Sequence, residues 1–132
     1  METSLGPVVG PVDVMTLDHH GNRDASNEDF LRALRPRVIV QQSWVSDQPG
    51  GEVVHRMTSQ STYAGPRDIL ATGIRPETRI AIGPWMENAY SSFDGHVVIR
   101  VAPGGARYEV FVLDDMNRAR RVKRRLGPYD SN

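Results

Sequence analysis

The sequence predicts an α/β fold in a single domain, and three observations carry that prediction. Val12-Asp13-Val14-Met15-Thr16-Leu17 alternates and is β-branched at Val12, Val14 and Thr16, the pattern of a half-buried strand. Ser26-Asn27-Glu28-Asp29 opens a helix with Phe30, Leu31 and Leu34 on one face, stopped by Pro36. Arg37-Val38-Ile39-Val40-Gln41 then reads as a buried strand, so strand, helix and strand follow within about 30 residues, the length of a right-handed βαβ unit.

The first strand leads into Asp18-His19-His20-Gly21, which places two of the four histidines at the carboxyl end of a strand, the edge where open α/β sheets bind ligands. Gly21 supplies a turn conformation that other residues avoid. At the helix start, Ser26 is expected to cap the Asp29 amide, with Asp29 reaching back, and the acids at 28 and 29 suit the positive helix end. Residues 42–51 form a polar loop on the same edge as His19. A short helix over about 51–59 turns Val53, Val54 and Met57 inward. Ile69-Leu70-Ala71-Thr72 is a third strand. Residues 73–94, broken by Pro76 and Gly83-Pro84, read as an insertion over the sheet edge, with Trp85, Met86 and Tyr90 on a short helix. Residues 97–101 and 108–113 flank Pro103-Gly104-Gly105 and predict a β-hairpin. Ala119, Val122 and Leu126, spaced three and four apart, predict a basic C-terminal helix ended by Gly127-Pro128. The chain thus divides into an irregular lead-in with two Gly-Pro dipeptides (1–11), an α/β domain (12–116), and a basic C-terminal helix and tail (117–132).

At 132 residues the chain suits one core. No run approaches the ~20 apolar residues of a membrane span, no signal peptide is visible, and cysteine is absent, which excludes disulfides and thiolate ligands. A cytoplasmic protein without membrane contact is expected. Net charge is zero, yet residues 117–132 hold six of the 16 basic side chains (Arg118, Arg120, Arg121, Lys123, Arg124 and Arg125) and one of the 16 acids. Such a cluster is read either as a solvated helix face or as a nucleic-acid contact. The acidic remainder of the chain offers it an internal docking partner. Ser43 and Ser46 lack a base–nucleophile pattern, Asp18 and Asp24 read as turn and capping residues, no phosphate loop is present, and Trp44, Trp85 and Tyr90 are expected to pack rather than to stack bases.

The ordered set His19-His20-Gly21, Phe30-Leu31, Arg35-Pro36-Arg37-Val38, Pro49, Val53-Val54 and Asp94-Gly95, spanning about residues 12–113, resembles the C-terminal half of a metallo-β-lactamase-fold hydrolase, closest to the ComEC-type domain. The resemblance implies half of an αββα sandwich: a βαβ unit, a short helix, a mixed sheet with a terminal β-hairpin and the basic helix. It implies His19 as the last ligand of a two-metal site, zinc or similar, with His20 catalytic beside it and facing substrate. The sequence departs from the family pattern in two places. Gln48 stands where the family loop has histidine, and the HxHxDH motif, the middle histidine and the bridging aspartate are missing. The implied activity is metal-dependent hydrolysis that the lone chain does not perform, with an N-terminal half-domain or self-association completing the fold. The other readings are a non-catalytic nucleic-acid or partner-binding module using the basic tail, and a non-functional gene fragment.

Overall fold

A computed structural model describes all 132 residues. In order the chain forms α1 (Glu2–Val9), β1 (Val14–Thr16), a 3-10 turn (Asp18–Gly21), α2 (Glu28–Leu34), β2 (Val38–Gln41), α3 (Gly51–Thr58), β3 (Asp68–Ala71), α4 (Pro76–Ile82), α5 (Met86–Ala89), β4 (His96–Val101), β5 (Arg107–Leu113) and β6 (Val122–Asp130). The α/β class is as expected. The strands make two three-stranded sheets where the sequence predicts one mixed sheet: β1-β2-β3 all parallel, and β4-β5-β6 all antiparallel.

Period two in the parallel strands sorts their side chains onto two faces. Met15, Ile39 and Ile69 lie in register on one face and pack with Phe30, Leu31 and Leu34 of α2, with Val53, Val54 and Met57 of α3, and with Met86 and Tyr90. Val38, Val40 and Leu70 lie on the other face and pack against Tyr108, Val110 and Val112 of β5. The layers therefore run helices, parallel sheet, antiparallel sheet. β2 is buried at every residue because both of its faces are covered. No helix is long and apolar enough to cross a membrane.

The two ends of the chain differ from the sequence expectation. Residues 2–9 of the lead-in are helical, and Gly6 is the reason that helix can dock: a Cβ there would lie 3.0 Å from Ala33 Cβ and 3.2 Å from the Phe30 ring. Glu2 then accepts hydrogen bonds from the Ser26 and Asn27 amides at 2.8 and 2.7 Å. That contact displaces the expected Ser26 cap. Asn27 is the N-cap, accepting from the Phe30 amide at 3.0 Å, while Asp29 pairs forward with Arg32.

The basic C-terminal helix is a strand. As a helix, residues 118–126 would set Arg120 beside Arg124 and Arg121 beside Arg125 at like-charge i,i+4 spacing, which is destabilising. As strand β6, the segment satisfies the second edge of β5, whose backbone groups would otherwise go unpaired. Gly127, at φ 92°, takes the tight position of a bulge, and a Cβ there would lie 3.0 Å from the Tyr129 amide. Pro128 is tolerated because β6 is an edge strand.

The sheets are joined at Asp68, the first residue of β3. Its carboxylate accepts from Arg37 Nη1 at 2.6 Å, Ser91 Oγ at 2.6 Å and Tyr129 OH at 2.7 Å. Burial pushes the Asp68 carboxyl up, but the hydrogen bonds from Ser91, Tyr129 and Arg37, with the Arg37 charge, outweigh it and hold the carboxyl below its ordinary value. Burial and the same Asp68 contact push the Tyr129 phenol up. Burial, with the Asp13 charge, pushes Tyr108 up to about 12, and its hydroxyl donates to the Asp13 carbonyl at 3.3 Å.

Asp68→Asn is expected to cost about 2 kcal/mol at neutral pH, as loss of a partly buried, charge-assisted network does. Because the folded-state pKa is depressed, the native Asp68 contribution is full above the ordinary carboxylate range and fades as pH falls through the folded value. Urea melts at pH 7 and pH 3 should therefore differ less for the variant than for the native chain.

Candidate functional site

The carboxyl edge of the parallel sheet gathers the histidine turn after β1, the 42–50 loop after β2 and the 72–75 segment after β3. His19 and His20 do not continue the strand. They lie in a left-handed turn, with φ 45° at His19, 58° at His20 and 78° at Gly21. Three successive residues with positive φ are costly for the two that carry a Cβ, and such strain accumulates at functional sites. The turn is held from outside. The Gly50 amide donates to the Gly21 carbonyl at 2.9 Å, and a Cβ on Gly21 would come within 2.9 Å of Leu17 Cδ1 and 3.4 Å of Pro49 Cβ.

His19 is exposed and its Nδ1 lies 3.3 Å from Asp24 Oδ1. Asp24 thus has a partner that turn chemistry alone does not suggest. A carboxylate on one ring nitrogen orients an imidazole and leaves Nε2 open, the arrangement found behind metal-ligating histidines. His20, also exposed, makes no hydrogen bond or ion pair within the chain. The other histidines lie elsewhere: His55 stacks on Trp85 with ring centroids 4.3 Å apart, and His96 contacts Arg120. Nowhere do three or more His, Asp or Glu side chains gather in an arrangement that could hold a metal ion. Of the four histidines, His19 alone has a carboxylate against a ring nitrogen.

Gln48 stands where the resemblance would place a histidine. Its buried side chain accepts from the Trp44 and Val45 amides at 2.9 and 3.3 Å. It shapes the loop and does not face solvent. Sequence reasoning missed the neighbouring polar relay: the buried Tyr90 hydroxyl donates to Gln41 Oε1, and Gln41 Nε2 donates to Ser43 Oγ at 3.0 Å. Burial pushes the Tyr90 phenol well above its usual range, so it stays a donor. The one sequence signal was a glutamine closing the apolar run Val38–Val40. Trp85 and Tyr90 pack as expected, but Trp44 is 74% exposed.

The basic residues occupy the β5–β6 connection and the β6 edge. Only Arg125 of the six has an acidic partner, Glu109. Lys123 Nζ donates to the Asp94 carbonyl at 2.7 Å, and Arg118, Arg121 and Arg124 form no ion pair. The expected internal docking of this cluster on the acidic remainder is therefore confined to one pair.

Gly21→Ala should destabilise the chain by about 1–2 kcal/mol, from left-handed backbone strain on top of the close approach to Leu17. His20→Gly at its own positive φ should be neutral or stabilising by about 0.5–1 kcal/mol. Thermal unfolding of the two variants side by side checks both signs.

Compared with known proteins, the chain matches no family model and no curated protein sequence.

Proposed function

We propose that this chain is the C-terminal part of a metal-dependent hydrolase of the metallo-β-lactamase superfamily, with His19 as a zinc ligand and His20 facing substrate beside it. The observation that carries the reading is the His19–Asp24 pair at the carboxyl end of β1, which leaves Nε2 free on an exposed, backbone-fixed turn. The layer order agrees with it. Helices, a parallel sheet and an antiparallel sheet follow one another in the order α, β, β, the order in which an αββα sandwich begins.

Zinc would supply Lewis acidity and a nucleophile for hydrolysis, and phosphodiesters are one substrate class that suits such a pair. What the chain's own residues do is narrower. Asp24 lies against His19 Nδ1, the Gly21–Gly50 bond fixes the turn, and His20 stands beside it without an internal partner. The remaining donors are assigned to an N-terminal half-domain carrying HxHxDH. β4 fits that completion, because its outer edge is unpaired and Ile99 and Val101 are 41% and 59% exposed. Self-association through the same edge would occupy it in the partner's absence. The compartment assigned is the cytoplasm.

The lone chain should retain substoichiometric zinc after dialysis, fall to background in His19→Ala, and show no phosphodiester hydrolysis. Mixing with an HxHxDH half should raise both metal content and turnover. In that assembly His20→Ala should reduce turnover more than metal. Stoichiometric, His19-independent zinc in the lone chain would sink the assignment.

A second reading, a nucleic-acid-binding module, is favoured by one observation: Arg118, Arg121 and Arg124 have no acidic partner on the chain. Arginine without an internal partner along an exposed edge suits phosphate contacts. Replacing the three with Gln should flatten the salt dependence of duplex DNA affinity by about 2 to 3 in log–log slope, close to one per lost contact. An unchanged slope would remove these residues from any phosphate interface.

A further inference from the structure

We propose that the cleft between the 43–45 and 73–76 segments binds a nucleoside monophosphate, with the base stacked on Trp44, the phosphate on Arg75 and Ser43, and a ribose hydroxyl on Asp94. The proposal does not depend on the hydrolase reading, since it uses neither a metal nor the histidine turn.

The cleft has a volume of about 540 Å³ and lies at the carboxyl ends of β2 and β3, the edge where open parallel sheets hold ligands. Four of its features point to the same ligand. Trp44 contributes an indole that is 74% exposed although its amide is fixed by the buried Gln48 side chain. A large aromatic on a fixed backbone, facing solvent, is a stacking surface at low entropic cost. Arg75 is exposed and forms no ion pair or side-chain hydrogen bond within the chain, so its planar fork is free for an anion.

Ser43 is set as a donor by the relay behind it. Tyr90 donates to Gln41 Oε1, which fixes the amide so that Gln41 Nε2 donates to Ser43 Oγ, and the Ser43 proton is left to point elsewhere. Gly73 and Ile74 line the same cleft, and their backbone amides have no acceptor within the chain. With Arg75 and Ser43, this side offers the donors an anion requires.

Asp94 supplies a carboxylate acceptor. Its Oδ2 takes Arg79 Nη2 at 3.1 Å, while Oδ1 forms no hydrogen bond and faces Gly73, where a Cβ would lie 3.9 Å away. A carboxylate oxygen beside a donor-rich patch repels a ligand that is anionic throughout. It accepts from a hydroxyl. Flat ring, hydroxyl and phosphate in one molecule describe a nucleotide. An aromatic amino acid offers a ring and an anion as well, but its ammonium would have to meet Asp94 in place of a hydroxyl.

The experiment is calorimetric titration of the full chain, without added metal, with AMP, adenosine, inorganic phosphate and phenylalanine separately. AMP should bind more tightly than each of the other three. Arg75→Gln should weaken AMP about tenfold, the scale of one charge-assisted phosphate contact, and leave adenosine unchanged. Trp44→Ala should weaken AMP and adenosine by the same factor. Both residues are exposed, so each variant should keep the native melting temperature, and Arg35→Gln, at the opposite end of the parallel sheet, should keep native AMP affinity. AMP no tighter than adenosine, AMP indifferent to Arg75→Gln, or phenylalanine tighter than AMP would each overturn the proposal.

Discussion

Asp68 is the contact on which the two halves of the structure depend. The parallel sheet and the antiparallel sheet are separate hydrogen-bonded units, and between them lies a small apolar interface centred on Val38, Val40, Leu70, Tyr108, Val110 and Val112. Apolar contact alone is non-directional and would let the sheets slide. Asp68 fixes their register by taking donors from three places at once: Arg37 just before β2, Ser91 after α5 and Tyr129 on β6. Arg37 lies over the Tyr129 ring at 4.4 Å, which closes the cluster. Next to it, Asp13 accepts from Tyr108, Ser131 and Asn132, so the seam continues to the final residues.

That seam explains why the last strand matters beyond its charge. β6 carries Tyr129 into the Asp68 cluster and Leu126 into the inter-sheet core. The basic residues are what remains on its solvent side. Charged side chains along an edge are a standard means of discouraging strand addition, and Lys123, Arg124 and Arg125 on β6 have that effect whether or not Arg118, Arg121 and Arg124 also meet phosphates.

The βαβ unit, the α3 stripe and the hairpin were legible because each is set by local periodicity: Val12–Leu17, Val53/Val54/Met57 and the runs around Pro103-Gly104-Gly105. β6 was not legible because of its two bulges. Val122 and Leu126 pair with Leu113 and Val110, so one strand spends four residues where the other spends three, and a spacing of four imitates a helix. The Gly127-Pro128 pair, a helix stop by pattern, lies in the second bulge. α1 was hidden by its Gly-Pro pair, in which Gly6 serves close packing. At the carboxyl edge, the position of His19 could be read from the order strand, turn, helix. The left-handed turn, the Asp24 partner and the Tyr90–Gln41–Ser43 relay could not, since the relay joins residues 49 apart in sequence.

The antiparallel sheet has unequal edges. On one side stands β6 with its cations and a proline. On the other stands β4, unpaired along its outer side and apolar at Val97, Val98, Ile99 and Val101. Growth of this sheet is therefore polar in the sense a polymer chemist would use. A strand can be gained beside β4, and the far side offers no equivalent place to add. Two copies joined through β4 would turn only their β6 strands outward, and extension would terminate there. Whatever completes this sheet, the inequality of its edges favours a closed pair over an open fibre.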